Sequence, residues 1–82
     1  MGKYEKLLQT VLSGRSDANV KLDELRRLLT RLGFEERIRG SHHIFRKPGI
    51  EEQPNLQITG GKAKPYQVKQ VREIIISHKL SE

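Results

Sequence analysis

Two adjacent histidines, His42 and His43, directly follow Gly40 and Ser41, and they are the residues of this chain best suited to chemistry. Imidazole is the side chain that takes up and returns protons near neutral pH. With Ile44, Phe45 and Arg46 the pair forms a run rich in β-formers. Neighbours on a strand point to opposite faces, so His42 goes with Ile44 and His43 with Phe45, and the two cannot readily chelate one metal ion together. One histidine must lean into the core and the other toward solvent. Alternation alone leaves open which is which.

The chemistry open to a lone proton carrier depends on what surrounds it. The 82 residues hold 16 Lys and Arg against 10 Asp and Glu, a formal charge of +6. Such a surface attracts polyanions in a salt-dependent way, which makes nucleic acid the first partner to test. Cleavage of an RNA phosphodiester suits a histidine in this setting, because the substrate brings its own nucleophile, the 2′-hydroxyl. The protein has only to move a proton and steady the charge on phosphorus. Arg37, Arg39, Arg46 and Lys47 surround the histidines, and Lys62, Lys64, Lys69 and Arg72 gather further along. These are candidate phosphate contacts.

Other chemistry is poorly supplied. There is no cysteine, which removes disulfides, thiolate nucleophiles and cysteine-bound zinc. The acidic pairs Glu35-Glu36 and Glu51-Glu52 are sequential and flanked by basic residues, so solvated faces are expected of them and not a metal site. His78 falls on the apolar face of its segment and is expected to pack. Tyr4, Phe34, Phe45 and Tyr66 are the only aromatic residues, which gives little basis for stacking single-stranded bases. No apolar run approaches a membrane span, and Met1-Gly2-Lys3-Tyr4 does not lead into a signal peptide, so a cytoplasmic protein is expected.

Positioning these residues falls to a few short elements. Tyr4, Leu7, Leu8, Val11 and Leu12 recur at helical steps between Lys3 and Ser13, with Gly14 as a C-terminal cap. Gly14 to Asn19 reads as a loop. Leu22, Leu25, Leu28, Leu29 and Leu32 repeat the helical stripe, with Asp23 as the expected N-terminal cap and Gly33 closing the helix. A strand follows with Phe34 and Ile38 on one side, and Gly40-Ser41 is a two-residue turn into the strand His43–Arg46. Lys47-Pro48-Gly49 ends it. Leu56 and Ile58 alternate with Asn55, Gln57 and Thr59 in a third strand. Gly60 to Lys64 reads as a flexible basic connection, and Pro65 starts a closing helix marked by Val68, Val71, Ile75 and His78.

The expected fold is α+β: a three-stranded antiparallel sheet covered by helices, with an additional N-terminal helix. The last five elements have the order of a double-stranded-RNA-binding domain. With 34% apolar residues the chain has room for one domain, 1–82, with the helix extension at 3–14 and the core at 22–80.

The segment Leu28-Leu29-Thr30-Arg31-Leu32-Gly33-Phe34, followed by Arg39-Gly40-Ser41-His42-His43-Ile44-Phe45, resembles the HicA family of messenger-RNA-cleaving toxins. Asn55-Leu56-Gln57 and the run from Ala63 to Arg72 resemble one branch of it. The likeness runs from about Leu22 to Lys79 and implies a double-stranded-RNA-binding-like fold, ribonuclease activity without a metal or cofactor, and a HicB-type antitoxin as partner. It also implies that the histidine directly after Gly-Ser, here His42, is catalytic, and that Gly40 gives the backbone room for the turn and for RNA. Many relatives carry a further histidine after the third strand. This chain instead continues Ile58-Thr59-Gly60-Gly61-Lys62.

The leading expectation is therefore an endoribonuclease toxin acting on messenger RNA, with His42 as general acid or base. Gly40, Ser41, Arg39, Arg46, Lys62, Lys64, Lys69 and Arg72 would be its RNA contacts. The alternatives are a domain that holds RNA without cutting it and a subunit that chiefly binds another protein.

Overall fold

The computed structural model describes residues 2–57 and 61–81. Helix α1, Lys3–Ser13, has the boundaries its apolar stripe predicts and stops at Gly14, whose φ of 71° is the left-handed cap a side chain would resist. A short 3-10 turn, Asp17–Asn19, leads to helix α2, Leu22–Arg31. The expected cap at Asp23 is corrected: the N-cap position is Lys21, whose backbone N–H donates to Glu24 Oε1 at 3.1 Å. Asp23 lies one residue inside the helix and accepts from Arg26 Nη1 at 3.0 Å.

Strands β1 (Glu35–Arg39), β2 (His42–Arg46) and β3 (Asn55–Gln57) form an antiparallel sheet in sequence order. Arg39 pairs with His42 across the Gly40-Ser41 turn, and His42 pairs in turn with Gln57. Gly40 has φ 59° and Ser41 does not share its positive φ, the pattern of a hairpin turn with glycine first. At the other end of β2, Lys47-Pro48-Gly49-Ile50 closes a second turn, with the Ile50 N–H on the Lys47 carbonyl at 3.1 Å. The part of the third strand expected at Ile58 and Thr59, and Gly60 after it, lies outside the described residues.

Gly61 to Ala63 is not the free connection its composition suggests. The Leu22 N–H donates to the Gly61 carbonyl at 2.9 Å and the Ala63 N–H to the Val20 carbonyl at 2.8 Å. These bonds bind the entry of α2 to the entry of helix α3, Pro65–Ser77. Ile74, Ile75 and Ile76 stay helical, because Val68, Val71, Ile74 and Ile75 complete one buried face.

The helices cover one face of the sheet. Phe45 and Leu56 point into a core shared with Leu25, Leu28 and Leu29 of α2, Val68, Val71 and Ile75 of α3, and Val11 of α1. Truncating one of these leucines to alanine would cost roughly 2–5 kcal/mol. By strand alternation this inner face also carries His43, Glu36 and Ile38. Ile38 is on the same side as Phe34, as its spacing implies, yet is 59% exposed, because it sits near the end of an edge strand beyond the cover of the helices. The architecture is the expected one: an α+β fold with three antiparallel strands beneath helices and a further helix at the N-terminus. Among the described residues no helix is long and apolar enough to cross a membrane.

Candidate active site

The register decides what alternation left open. His43 faces inward with Phe45 and is 6% exposed, whereas His42 lies on the uncovered face of the sheet. Arg37, Arg39, Ile44, Arg46, Asn55 and Gln57 share that face by position.

His42 is held from the neighbouring strand. Its Nδ1 lies 3.2 Å from Asn55 Oδ1, so the neutral ring donates its Nδ1 proton there and keeps Nε2 as the nitrogen able to accept one. Around it is an open depression of about 300 Å³ lined by Gln53, Asn55, Gln57, Tyr66 and Gln70 together with His42 itself. The last two come from the first turns of α3, so the site lies where the β3 edge meets that helix.

His43 makes a different kind of contact. Its Nδ1 donates to Glu36 Oε2, and the same carboxylate accepts from Arg26 Nε at 2.9 Å. Burial pushes the Glu36 pKa up, but the hydrogen bonds from Arg26 and His43 and their charges outweigh it and hold it below its ordinary value. The reading of Glu36 as a solvated residue is thereby corrected. Strand alternation places it on the inner face, where two donors satisfy it. His78, expected to pack, is half-buried with Nε2 3.0 Å from Glu52 Oε1. That hydrogen bond holds the Glu52 carboxyl below its usual range.

The remaining expected site residues divide into groups. Gly40 and Ser41 form the turn beside His42, and Arg39 is its cross-strand partner. A side chain on Gly40 would meet nothing within 4 Å, so glycine is required there by backbone conformation and not by space. Arg46 lies on the same face at the far end of β2, loosely paired with Glu35 at 3.9 Å. Lys64 precedes α3, and Lys69 stands on its exposed side one residue before Gln70. Lys62 is exposed on the segment paired with Lys21. Arg72 is engaged within the chain: Nη1 reaches Asp17 Oδ1 at 2.8 Å and the Val11 carbonyl at 3.3 Å.

Tyr66 was weighed only as one of few aromatic residues, and Gln53, Asn55, Gln57 and Gln70 were not expected at the site from the sequence. Alternation groups Asn55 with Gln57, but which face they share with His42 follows only from register. Among the described residues no three His, Cys, Asp or Glu side chains gather as a metal would require.

Residues 22–77, more than half of the chain, match the family model described as HicA toxin of bacterial toxin-antitoxin. The chain belongs to the HicA toxin family. It is thus the toxin of a toxin–antitoxin system, a class defined by an antitoxin partner. Comparison with curated proteins and with solved structures gives no match. The HicA match begins at the first residue of α2, so α1 and the turn after it lie outside the matched segment.

Proposed function

We propose that this HicA toxin is a metal-independent endoribonuclease that cuts messenger RNA with His42 as its proton carrier, and that a HicB-type antitoxin restrains it. The observation that carries the reading is the setting of His42: exposed on the open sheet face, oriented through Nδ1 by Asn55, and paired across the hairpin with Arg39. Nε2 takes the proton of the substrate's 2′-hydroxyl as that oxygen attacks the adjacent phosphorus. The bond from phosphorus to the 5′ oxygen breaks, that oxygen takes a proton from water and leaves as a hydroxyl, a 2′,3′-cyclic phosphate remains, and Nε2 returns its proton to solvent. Arg37 and Arg39, on the same face, steady the negative charge that builds on the phosphoryl oxygens. Arg46, Lys62, Lys64 and Lys69 position the RNA backbone through phosphate contacts.

The test is incubation of the protein with RNA in EDTA at low salt. Wild type is expected to cut, His42→Ala to leave the RNA whole while keeping its fold, and His43→Ala to retain cutting in proportion to its folded fraction. RNA that stays intact with wild type, or a cut lost only in a folded His43→Ala, would overturn the assignment. RNA bound tightly but never cut would make this a binding domain. Induced expression tests the cellular reading: growth arrest with transcript cleavage is expected from wild type and not from His42→Ala. Co-expression with a HicB-type antitoxin is expected to abolish the arrest.

A further inference from the structure

The depression beside His42 has a lining unlike the rest of this basic surface. Apart from His42 it consists of four carboxamides, Gln53, Asn55, Gln57 and Gln70, and the ring of Tyr66. Among the described residues no Lys, Arg, Asp or Glu lines it, although arginines occupy the same sheet face along β1. A phosphate site would be expected to draw on those cations. Carboxamides instead present a donor and an acceptor side by side, the pattern that meets the edge of a nucleobase.

Tyr66 supplies the other half of the arrangement. It is 63% exposed, so its ring is not spent on the core, and it stands one helical turn from Gln70 on the same side of α3. An exposed aromatic ring at the rim of an open depression is a platform on which an unpaired base can stack. Asn55 is committed to His42, which leaves Gln53, Gln57 and Gln70 to meet the base edge.

We infer that this depression is a nucleobase subsite: Tyr66 stacks, and the three glutamines hydrogen-bond, an unpaired base of the nucleotide next to the phosphate at His42. The inference rests on the ribonuclease reading for its placement of that phosphate. It makes the substrate single-stranded at the cut, because a base inside an A-form duplex offers no free face to stack on. It also answers the scarcity of aromatic residues in the sequence, since one ring suffices when it stands beside the reacting group.

The experiment measures binding without cleavage. Fluorescence anisotropy at fixed low salt compares a short single-stranded RNA oligomer, blocked throughout by 2′-O-methyl groups, with an abasic oligomer of equal length and charge. Tyr66→Ala is expected to weaken binding of the base-bearing oligomer by roughly 5- to 100-fold, as for loss of one stacked base. Tyr66→Phe should bind like wild type, and neither change should alter binding of the abasic oligomer. The double variant Gln57→Ala, Gln70→Ala should weaken only the base-bearing oligomer. Circular dichroism checks that each variant is folded.

Equal affinity of wild type for both oligomers, or a Tyr66→Ala loss that is absent or the same for both, overturns the subsite. The EDTA cleavage assay reports separately on catalysis. RNA left whole beside a Tyr66 effect confined to bases removes the nuclease and keeps the subsite. RNA that is cut, with no such effect, does the reverse.

Discussion

The two adjacent histidines divide their work according to the pleat of β2. Alternation in the sequence was enough to say that they face opposite ways, and the family likeness pointed to His42, but the groups that hold each ring were not legible. Asn55 lies 13 residues from His42 and reaches it only through the pairing of β2 with β3. Glu36 looked like one half of an exposed acidic pair until its two donors were in place. Loss of the Asn55 bond should lower turnover more than substrate affinity. Asn55→Ala is expected to reduce kcat on the order of tenfold, less than His42→Ala, which should cost roughly 100-fold or more; steady-state rates on RNA in EDTA check both. The Glu36 contact should show in stability instead. Its carboxyl titrates below its ordinary value of 4.5, so the ionised form stabilises the fold above that pH, and the contribution is lost as pH falls toward the lowered value. Urea midpoints of wild type are therefore expected to fall more steeply as the pH is taken below about 4.5 than those of Glu36→Gln, which starts lower at pH 7.

Elements with strong periodicity were readable to the residue, as α1 shows: a stripe of Tyr4, Leu7, Leu8, Val11 and Leu12 ended by Gly14. The Gly40-Ser41 hairpin was equally plain, because few residues tolerate its backbone. Gly40→Ala should destabilise the protein by about 1–2 kcal/mol, the cost of a left-handed residue bearing a Cβ, with the thermal midpoint as the readout. What periodicity could not convey was where α1 goes. It rests on α2 and α3 beside the ion pair of Arg72 with Asp17, both largely buried, and Arg31 lies over the Tyr4 ring at 5.1 Å. Asp17→Ala leaves the Arg72 charge without its carboxylate and should cost about 1–3 kcal/mol in urea unfolding. RNA cleavage by the folded variant is expected to be unchanged, since this pair lies apart from the open sheet face.

At the scale of the whole molecule the basic character of the sequence resolves into two surfaces. Helices close one side of the sheet, and the other presents Arg37, Arg39 and Arg46 around the His42 site. Net charge announced a polyanion partner, but only the strand register shows which arginines share a face. Replacing all three with glutamine should flatten the dependence of log affinity on log salt for single-stranded RNA by about 2, near 0.7 for each phosphate no longer neutralised. The placement of α1 has a further consequence, one of timing. It packs on both α2 and α3, and the Arg72 side chain of α3 that reaches Val11 and Asp17 bridges more than fifty residues of sequence. Part of the seat of α1 is thus made by a helix far along the sequence, and α1 is fully packed only when α3 has formed. Contacts of such long sequence separation close late in folding, so the docking of α1 onto α3 is expected to be among its slower steps.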